Sequence, residues 1–547
     1  MKKSTSLLFF VVLLIGISAF SPPGQRYFEI AKNLDIFASL FKEVNTLYVD
    51  EVNPNQLVRT GIDAMLNSLD PYTNYIPEDE VENYRTINTG QYGGIGAVTR
   101  QFGKRVVVSM VYEGYPAEKG GLKIGDEIIK MDGVELSRLS MDESNRLMRG
   151  QVGKAVTLTV MRPGNERPLE FEFKREKIKI NNVPYYGLAT DNVGYVALTD
   201  FTIDAGKEVR NAVVALKDKG AKSIVLDLRG NPGGILQEAV NVCNIFLPKG
   251  KHVVSTRGKI KESNMSYETT FAPVDLEIPV VVMMDRGSAS ASEIVAGTLQ
   301  DYDRAVIIGE KSYGKGLVQL SRPLSYNSQV KITTAKYYTP SGRCIQVLDY
   351  SHRRPDGSVI SVPDSLKKPF KTSKGRVVYD GGGIDPDVVV TSDESPEISL
   401  VMFYNGYFFD YASEYYLKHK TVPPAGQFDL TDQEYMEFVT WVRQKDYHYR
   451  SQMDNLMAKL TDQSKKEKLY DDIKPQLDLV NQKLEEARKK DLIVHKDLLK
   501  AKLAEEIAIR YYFEKGATET RFRYDQELKT ATRLLNNPGE YKKILKM

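Results

Sequence analysis

The spacing of apolar residues changes character from region to region along this chain. Between Tyr27 and Glu82 it is helical: Phe28, Ala31, Leu34, Phe37, Leu40 and Phe41 recur three or four apart, and a second helix is predicted near Leu57 to Leu69. Leu69-Asp70-Pro71-Tyr72-Thr73 ends it with a turn that Asp-Pro chemistry explains, so no catalytic role is given to it. A strand-like stretch follows at Arg105 to Val111, with a helix over Met141 to Met148. From about residue 176 strands and helices alternate. Val193 to Leu198 reads as a strand, Lys207 to Lys219 as a helix, Ser223 to Leu228 as a strand, Ile235 to Phe246 as a helix, and Ile278 to Met284 as a strand that meets another helix. Alternation of this kind makes an α/β layer structure. Strands are predicted again over Leu317 to Leu320 and Val330 to Tyr338. After Asp393-Glu394-Ser395-Pro396 the pattern is helical once more, with stripes at Leu469, Ile473, Leu477, Val480, Leu484 and at Leu499, Leu503, Ile507, Tyr511.

At the amino terminus Lys2 and Lys3 precede an apolar run from Leu7 to Ile17, and Ala19 and Ser21 suit a cleavage site. The run is shorter than the ~20 residues a helix needs to cross a bilayer, so it reads as a secretory signal. No cysteine follows it, which argues against a lipoprotein. The whole chain of 547 residues has room for several domains, and 41% hydrophobic residues can supply a core for each. Lys+Arg 75 against Asp+Glu 72 leaves a net charge of +3, which excludes the strongly basic profile of a nucleic-acid binder. Cys243 and Cys344 are isolated and read as free thiols. The histidines at 252, 352, 419, 448 and 495 are scattered away from the serine-rich turn, so nothing favours a Ser-His-Asp triad. No metal spacing, phosphate loop or sustained heptad is found.

The candidate chemistry centres on Asp285-Arg286-Gly287-Ser288-Ala289-Ser290-Ala291-Ser292-Glu293-Ile294, where an apolar strand meets a helix. Ser290-x-x-Glu293 also matches a capping box, so a helix cap is the bland reading of both residues. The second half is Gly314-Lys315-Gly316-Leu317-Val318-Gln319, where a period of two puts Lys315, Leu317 and Gln319 on one face. A lysine in water is protonated and useless as a base. Desolvated, and held by a neutral amide such as Gln319, its pKa can fall to roughly 7–8. The bland reading of Lys315 is a solvated surface lysine. Arg229-Gly230-Asn231-Pro232-Gly233-Gly234 follows one strand and precedes a helix, where free amides attract developing negative charge.

These motifs resemble the carboxyl-terminal processing (tail-specific) serine peptidases, over roughly residues 30 to 390. The resemblance implies that Ser290 is the nucleophile, that Lys315, twenty-five positions on, is the general base, and that Gln319 holds the lysine. It implies oxyanion amides at Gly234 and Ala291, with Gly233 the competing choice for the first. Tyr92-Gly93-Gly94-Ile95-Gly96 with Pro116-Ala117-Glu118-Lys119-Gly120-Gly121-Leu122-Lys123-Ile124-Gly125-Asp126 resembles a bacterial PDZ domain. There Gly93, Gly94, Ile95 and Gly96 would hold a substrate's terminal carboxylate beside an edge strand, with the helix Met141 to Met148 as the other wall. Cys344 stands where the family more often has serine, without consequence for catalysis.

The implied fold is a multidomain α/β protein: a crotonase-like (ClpP/crotonase-type) protease core with an inserted-type PDZ domain, an N-terminal helical segment and a C-terminal helical domain. The expected boundaries are a signal peptide over 1–21, helices over 22–89, PDZ over 90–175, the Ser/Lys protease core over 176–395 and a helical domain over 396–547. The substrates would be proteins or peptides with free carboxyl termini, met in the periplasm or cell envelope, without a cofactor or nucleic acid. The lysine- and glutamate-rich runs of the last domain read as solvated helix faces, with adaptor binding or self-association as the alternative. Two rivals stand beside this reading. One is a non-hydrolytic PDZ binding protein or chaperone on an inactive scaffold. The other is an acyl-CoA enzyme, against which the secretory signal and the PDZ domain argue.

Overall fold

The computed structural model describes residues 23–354, 356–391, 395–445, 447 and 449–547. The secretory-signal reading of residues 1–21 lies outside them. Two compact units are present, one made of residues up to 75 with 321–332, the other of 76–320 with 333–547.

In the first unit the helical spacing yields helices Pro23–Leu47 and Pro54–Asn67. Asn53 caps the second, its side chain accepting from the Asn55 and Gln56 amides, and Pro54 takes the first helical position, where its missing N–H costs nothing. The Asp70 carboxylate accepts from the amides of Tyr72 and Thr73 at 2.8 Å each, which is the turn chemistry read from Asp-Pro.

The second unit is built on a six-stranded sheet: β1 (Tyr185–Thr190), β2 (Val193–Ala197), β3 (Ser223–Asp227), β4 (Val280–Met284), β5 (Val306–Gly309) and β6 (Val388–Val389). The strands lie side by side in chain order; β1 is antiparallel to β2 and the rest are parallel. Helices α1 (Ala205–Asp218), α2 (Leu236–Phe246) and α3 (Ala291–Asp301) make the crossovers. Parallel crossovers are right-handed, so strands added in one direction put all three helices on one face. That face is the largest core, where Val196, Leu226, Val282 and Ile307 meet Val213, Val240 and Val295.

Period two sends the alternate residues Tyr195, Val225, Val281, Met283 and Ile308 to the other face. Fully buried parallel strands need both faces covered. The cover comes from the far end of the chain: Leu528, Ala531, Leu534 and Leu535 of α4 (Gln526–Leu535), and Tyr541 of α5 (Pro538–Ile544). The Tyr541 hydroxyl donates to the Val280 carbonyl at 3.0 Å and accepts from the Val280 amide at 3.0 Å. Thus the last helices of the segment read as a separate helical domain form the second layer of the protease sheet.

Residues 97–174 form their own antiparallel sheet around Val107, Val108, Met131 and Leu158. It is entered and left through one two-stranded ladder, in which Gly93 and Gly94 pair in register with Lys177 and Glu176. The predicted helix is present over Met141–Met148, with a full capping box between Ser140 and Glu143. This module packs on the helical region after residue 396. Phe102 meets Phe409 with ring centroids 5.4 Å apart, and the Arg105 guanidinium donates to both Asp410 oxygens at 3.0 and 3.2 Å. The helical core collects Leu499, Leu503 and Ile507 from the second predicted stripe. Of the first stripe, only Leu477 is buried on the helix Tyr470–Arg488, while Val480 and Leu469, which stands just before the helix, stay exposed.

Candidate active site

The site forms at the carboxyl ends of β3, β4 and β5, where an open α/β sheet leaves loops and helix starts free to bind ligands. The strand β4 is buried along its whole length and ends at Met284, just before Asp285. The Asp285 Oδ1 then accepts from the amides of Gly287 and Ser288 and, across the cleft, from Gly230, at 2.9 to 3.1 Å. Ser288 donates its hydroxyl to the Leu228 carbonyl at 2.8 Å. The turn after β4 is thereby fastened to the turn after β3.

Asn231 completes the fastening. Its carbonyl accepts from the Ala289 amide at 3.0 Å and the Ser292 hydroxyl at 2.9 Å. Its side chain donates to Leu198 O at 2.7 Å and accepts from the Gly233 amide at 2.9 Å. Sequence reasoning took this residue only as part of a glycine-rich turn. Before it, Arg229 is ion-paired with Asp227 and Asp525, both at 2.6 Å, and with Glu527. Asp525 caps α4, so the helix that covers the far face of the sheet also anchors the glycine loop.

Ser290 stands between turn and helix with φ 54° and ψ −110°. A side-chain-bearing residue adopts such a conformation only when its surroundings enforce it. Its amide donates to Glu293 Oε2 at 2.7 Å, the carboxylate limb of the expected capping box. Beside it, the Gly233 amide is taken by Asn231, whereas the Gly234 amide and the Ala291 amide have no hydrogen-bond partner among the described residues. Gly234 holds φ 149° on the exposed side of the loop, and a Cβ there would lie 2.4 Å from the Phe201 carbonyl.

The segment that carries Lys315 follows β5. Lys315 is half-buried, and its amide donates to Glu293 Oε2 at 3.0 Å. Gly316 donates to Gln346 Oε1 at 2.7 Å, and Leu317 is buried. Gln319 lies on the strand Leu317–Pro323 and donates through Nε2 to Thr333 Oγ1 at 3.2 Å. Tyr337, on the strand Gln329–Tyr338, donates its hydroxyl to Lys315 O at 2.7 Å and lies 3.2 Å from Ser290 O. No signal in its strand pattern marked it.

Glu293 is fully buried, and burial pushes its carboxyl up to about 7 against the four hydrogen bonds that favour the anion. Both cysteines are free; Cys243 is buried and burial pushes its thiol up to about 12, which leaves it inert. His252 bonds Ser266, and His352 is paired with Asp349. Among the described residues no cluster of three or more histidine, cysteine, aspartate or glutamate residues is placed to hold a metal ion.

In the smaller sheet Ile95 is buried and its carbonyl accepts from the Ala117 amide, while Gly96, at φ 79°, accepts from Tyr112. They lead into the edge strand Ala97–Phe102. Gly93 and Gly94 belong instead to the connecting ladder, so the four glycine-loop candidates divide into two with ladder duties and two at the head of the edge strand.

Ser290 thus stands at an enforced strand-to-helix turn, and the smaller sheet ends at the edge strand Ala97–Phe102. Residues 192–350 match Peptidase family S41, residues 107–162 a PDZ domain, and residues 398–535 the family described as Probable PDZ-protease, C-terminal helical domain. The chain is 39% identical over 319 residues to the carboxy-terminal-processing protease of Bartonella bacilliformis, covering 58% of this chain and 73% of that protein. It is 36% identical over 316 residues to the Probable CtpA-like serine protease of Staphylococcus aureus strain MRSA252, and there it spans 62% of that protein's length. Among solved structures it is similar to the photosystem II D1 C-terminal processing protease, at 27% identity and TM-score 0.34, covering 65% of this chain and 92% of that one. The chain belongs to peptidase family S41 and is a serine-type peptidase.

Proposed function

We infer that this peptidase processes proteins at their carboxyl termini, with Ser290 as nucleophile and Lys315 as general base. The observation that carries the reading is the enforced backbone of Ser290, which sits at the mouth of α3 beside two amides, Gly234 and Ala291, with no other partner among the described residues. Attack by the Ser290 hydroxyl on a peptide carbonyl creates an oxyanion, and preorganised amides stabilise it without reorganisation. That Asn231 takes the Gly233 amide supports Gly234 over Gly233 as the donor. Lys315, neutral before attack, takes the serine proton, returns it to the leaving amine, and then activates the water that clears the acyl-enzyme. Gln319 orients the amine without a charge that would hold its proton on.

The terminal carboxylate of the substrate is assigned to the amides at Ile95 and Gly96, with the chain adding to the edge strand Ala97–Phe102 by β-augmentation and Gly93 and Gly94 shaping the approach. The shared ladder at entry and exit supports an inserted PDZ module, and the in-order parallel sheet with one-sided crossovers supports a crotonase-like core. The region from 396 on is read as the site of any adaptor or self-association, and residues 1–21 as an export signal to the periplasm or envelope. One experiment tests the whole reading. A fluorophosphonate should label the protein at Ser290 alone, and amidation of a substrate's carboxyl terminus should raise KM by about tenfold or more while leaving kcat unchanged. Label on another residue, or cleavage indifferent to the terminal carboxylate, overturns it.

A further inference from the structure

Two side chains outside the reaction just described join the backbone of Ser290 to that of Lys315. The Glu293 carboxylate accepts from Ser290 N at 2.7 Å and Lys315 N at 3.0 Å on Oε2, and from Ser312 Oγ at 2.6 Å and Gly314 N at 2.7 Å on Oε1. The Tyr337 hydroxyl serves the carbonyls of the same two residues, at 3.2 Å from Ser290 and 2.7 Å from Lys315. Amide and carbonyl of the nucleophile, and amide and carbonyl of the base-bearing residue, thus end on one shared pair of side chains. A helix cap needs the first of these six contacts and none of the others.

The hydrogen bonds of the set favour the anion. Three of the groups on the carboxylate are amides and can only donate. The fourth, the Ser312 hydroxyl, already accepts from the Ile384 amide at 2.7 Å, which turns its own proton toward Glu293. Two oxygens with two lone pairs each are then filled, and a proton on either would face a donor.

We propose that Glu293, with Tyr337, is a positioning residue that registers the Ser290 nucleophile against Lys315, and that Glu293 does so only as the carboxylate anion. This rests on the assignment of Ser290 and Lys315 made above. The titratable side chain set against Glu293 from the neighbouring strand is Tyr337, buried, with its own pKa well above the ordinary value and therefore neutral. A displacement of about 1 Å between reacting groups costs on the order of 100-fold in rate.

The test compares full-length wild type, Glu293→Gln, Tyr337→Phe and Ser290→Ala on an unstructured protein, reading kcat, KM, the unfolding midpoint and the rate of fluorophosphonate labelling. Glutamine keeps the shape but turns a donor-only amide NH2 toward two donors, so kcat and labelling are expected to fall together by about 100-fold with KM within about twofold. Tyr337→Phe keeps the ring and is expected to lose about tenfold in both with its unfolding midpoint close to wild type; it decides the matter if Glu293→Gln does not fold. Both variants retaining kcat within about twofold, or losing only KM, overturns the proposal while an inert Ser290→Ala leaves the serine mechanism standing. An active Ser290→Ala removes that mechanism itself.

Discussion

Gly233 lies so close to Ser290 that a Cβ built on it would stand 2.8 Å from the serine Cβ. The same atom would meet Ala289 O at 2.7 Å and Ala291 N at 2.8 Å, and Gly233 holds φ 96°, where side-chain-bearing residues are strained. The glycine loop after β3 and the Ser290 turn after β4 are one packed piece. Replacing Gly233 by alanine is therefore expected to lower kcat by about 100-fold or more. Binding of a carboxyl-terminal peptide to the PDZ module, read by fluorescence anisotropy, should stay unchanged. A normal kcat would mean that the two loops move independently.

Activity and stability should respond to pH in opposite senses. The Glu293 carboxyl is raised to about 7 in the folded chain, above its ordinary value, so between those two values the native state holds a proton that the unfolded state has released. This group's contribution to stability is present in full at low pH and falls as pH rises toward 7, by roughly 3 kcal/mol. The anion proposed to register Ser290 against Lys315 forms over the same range. Thermal unfolding and kcat measured from pH 5 to 8 should thus diverge, with the pH dependence of stability flattened in Glu293→Gln. Parallel rises in both quantities would contradict the account.

Tyr541 hydrogen-bonds both polar backbone atoms of Val280 from α5. Tyr541→Phe leaves a buried amide and carbonyl with one partner fewer and is expected to cost about 1–3 kcal/mol in urea unfolding. The residue lies across the sheet from the cleft, so kcat should not change. An unchanged stability would show that these two hydrogen bonds add nothing to the protease layer.

Arg229 neutralises Asp227, Asp525 and Glu527 together. Arg229→Ala leaves three carboxylates crowded in a largely buried place, an arrangement expected to cost about 3–5 kcal/mol at neutral pH. The arginine beside it holds the Asp227 carboxyl below its ordinary value despite burial. Its share of stability is accordingly present above the unfolded carboxyl pKa and is lost as pH falls through the lower, folded one. The gap between variant and wild type should narrow in acid, as followed by circular dichroism melts. A gap independent of pH would assign the loss to packing.

The period of the apolar residues made most of the protease layer legible. Helices Leu236–Phe246 and Met141–Met148, and strands such as Val193–Ala197, fall within a residue or two of their expected positions. Strands of two to four residues, Val388–Val389 and Val306–Gly309, carry too short a pattern to announce themselves. The cover on the second face could not be read locally, because Leu528 and Tyr541 meet Val281 and Val280 from far along the chain. Within the site, Glu293 was visible as a helix cap, since Ser290-x-x-Glu293 is a local motif. Its other three donors come from the loop at Ser312 to Lys315, and Tyr337 reaches in from a strand whose spacing reports burial and nothing more.

The central claim is that Ser290 attacks and Lys315 takes its proton. The most direct measurement follows cleavage of an unstructured protein with a free carboxyl terminus by wild type, Ser290→Ala and Lys315→Ala, with each fold checked by circular dichroism. Fragments from wild type alone, with both variants folded, are the expected result. Cleavage at the wild-type rate by either folded variant would contradict it.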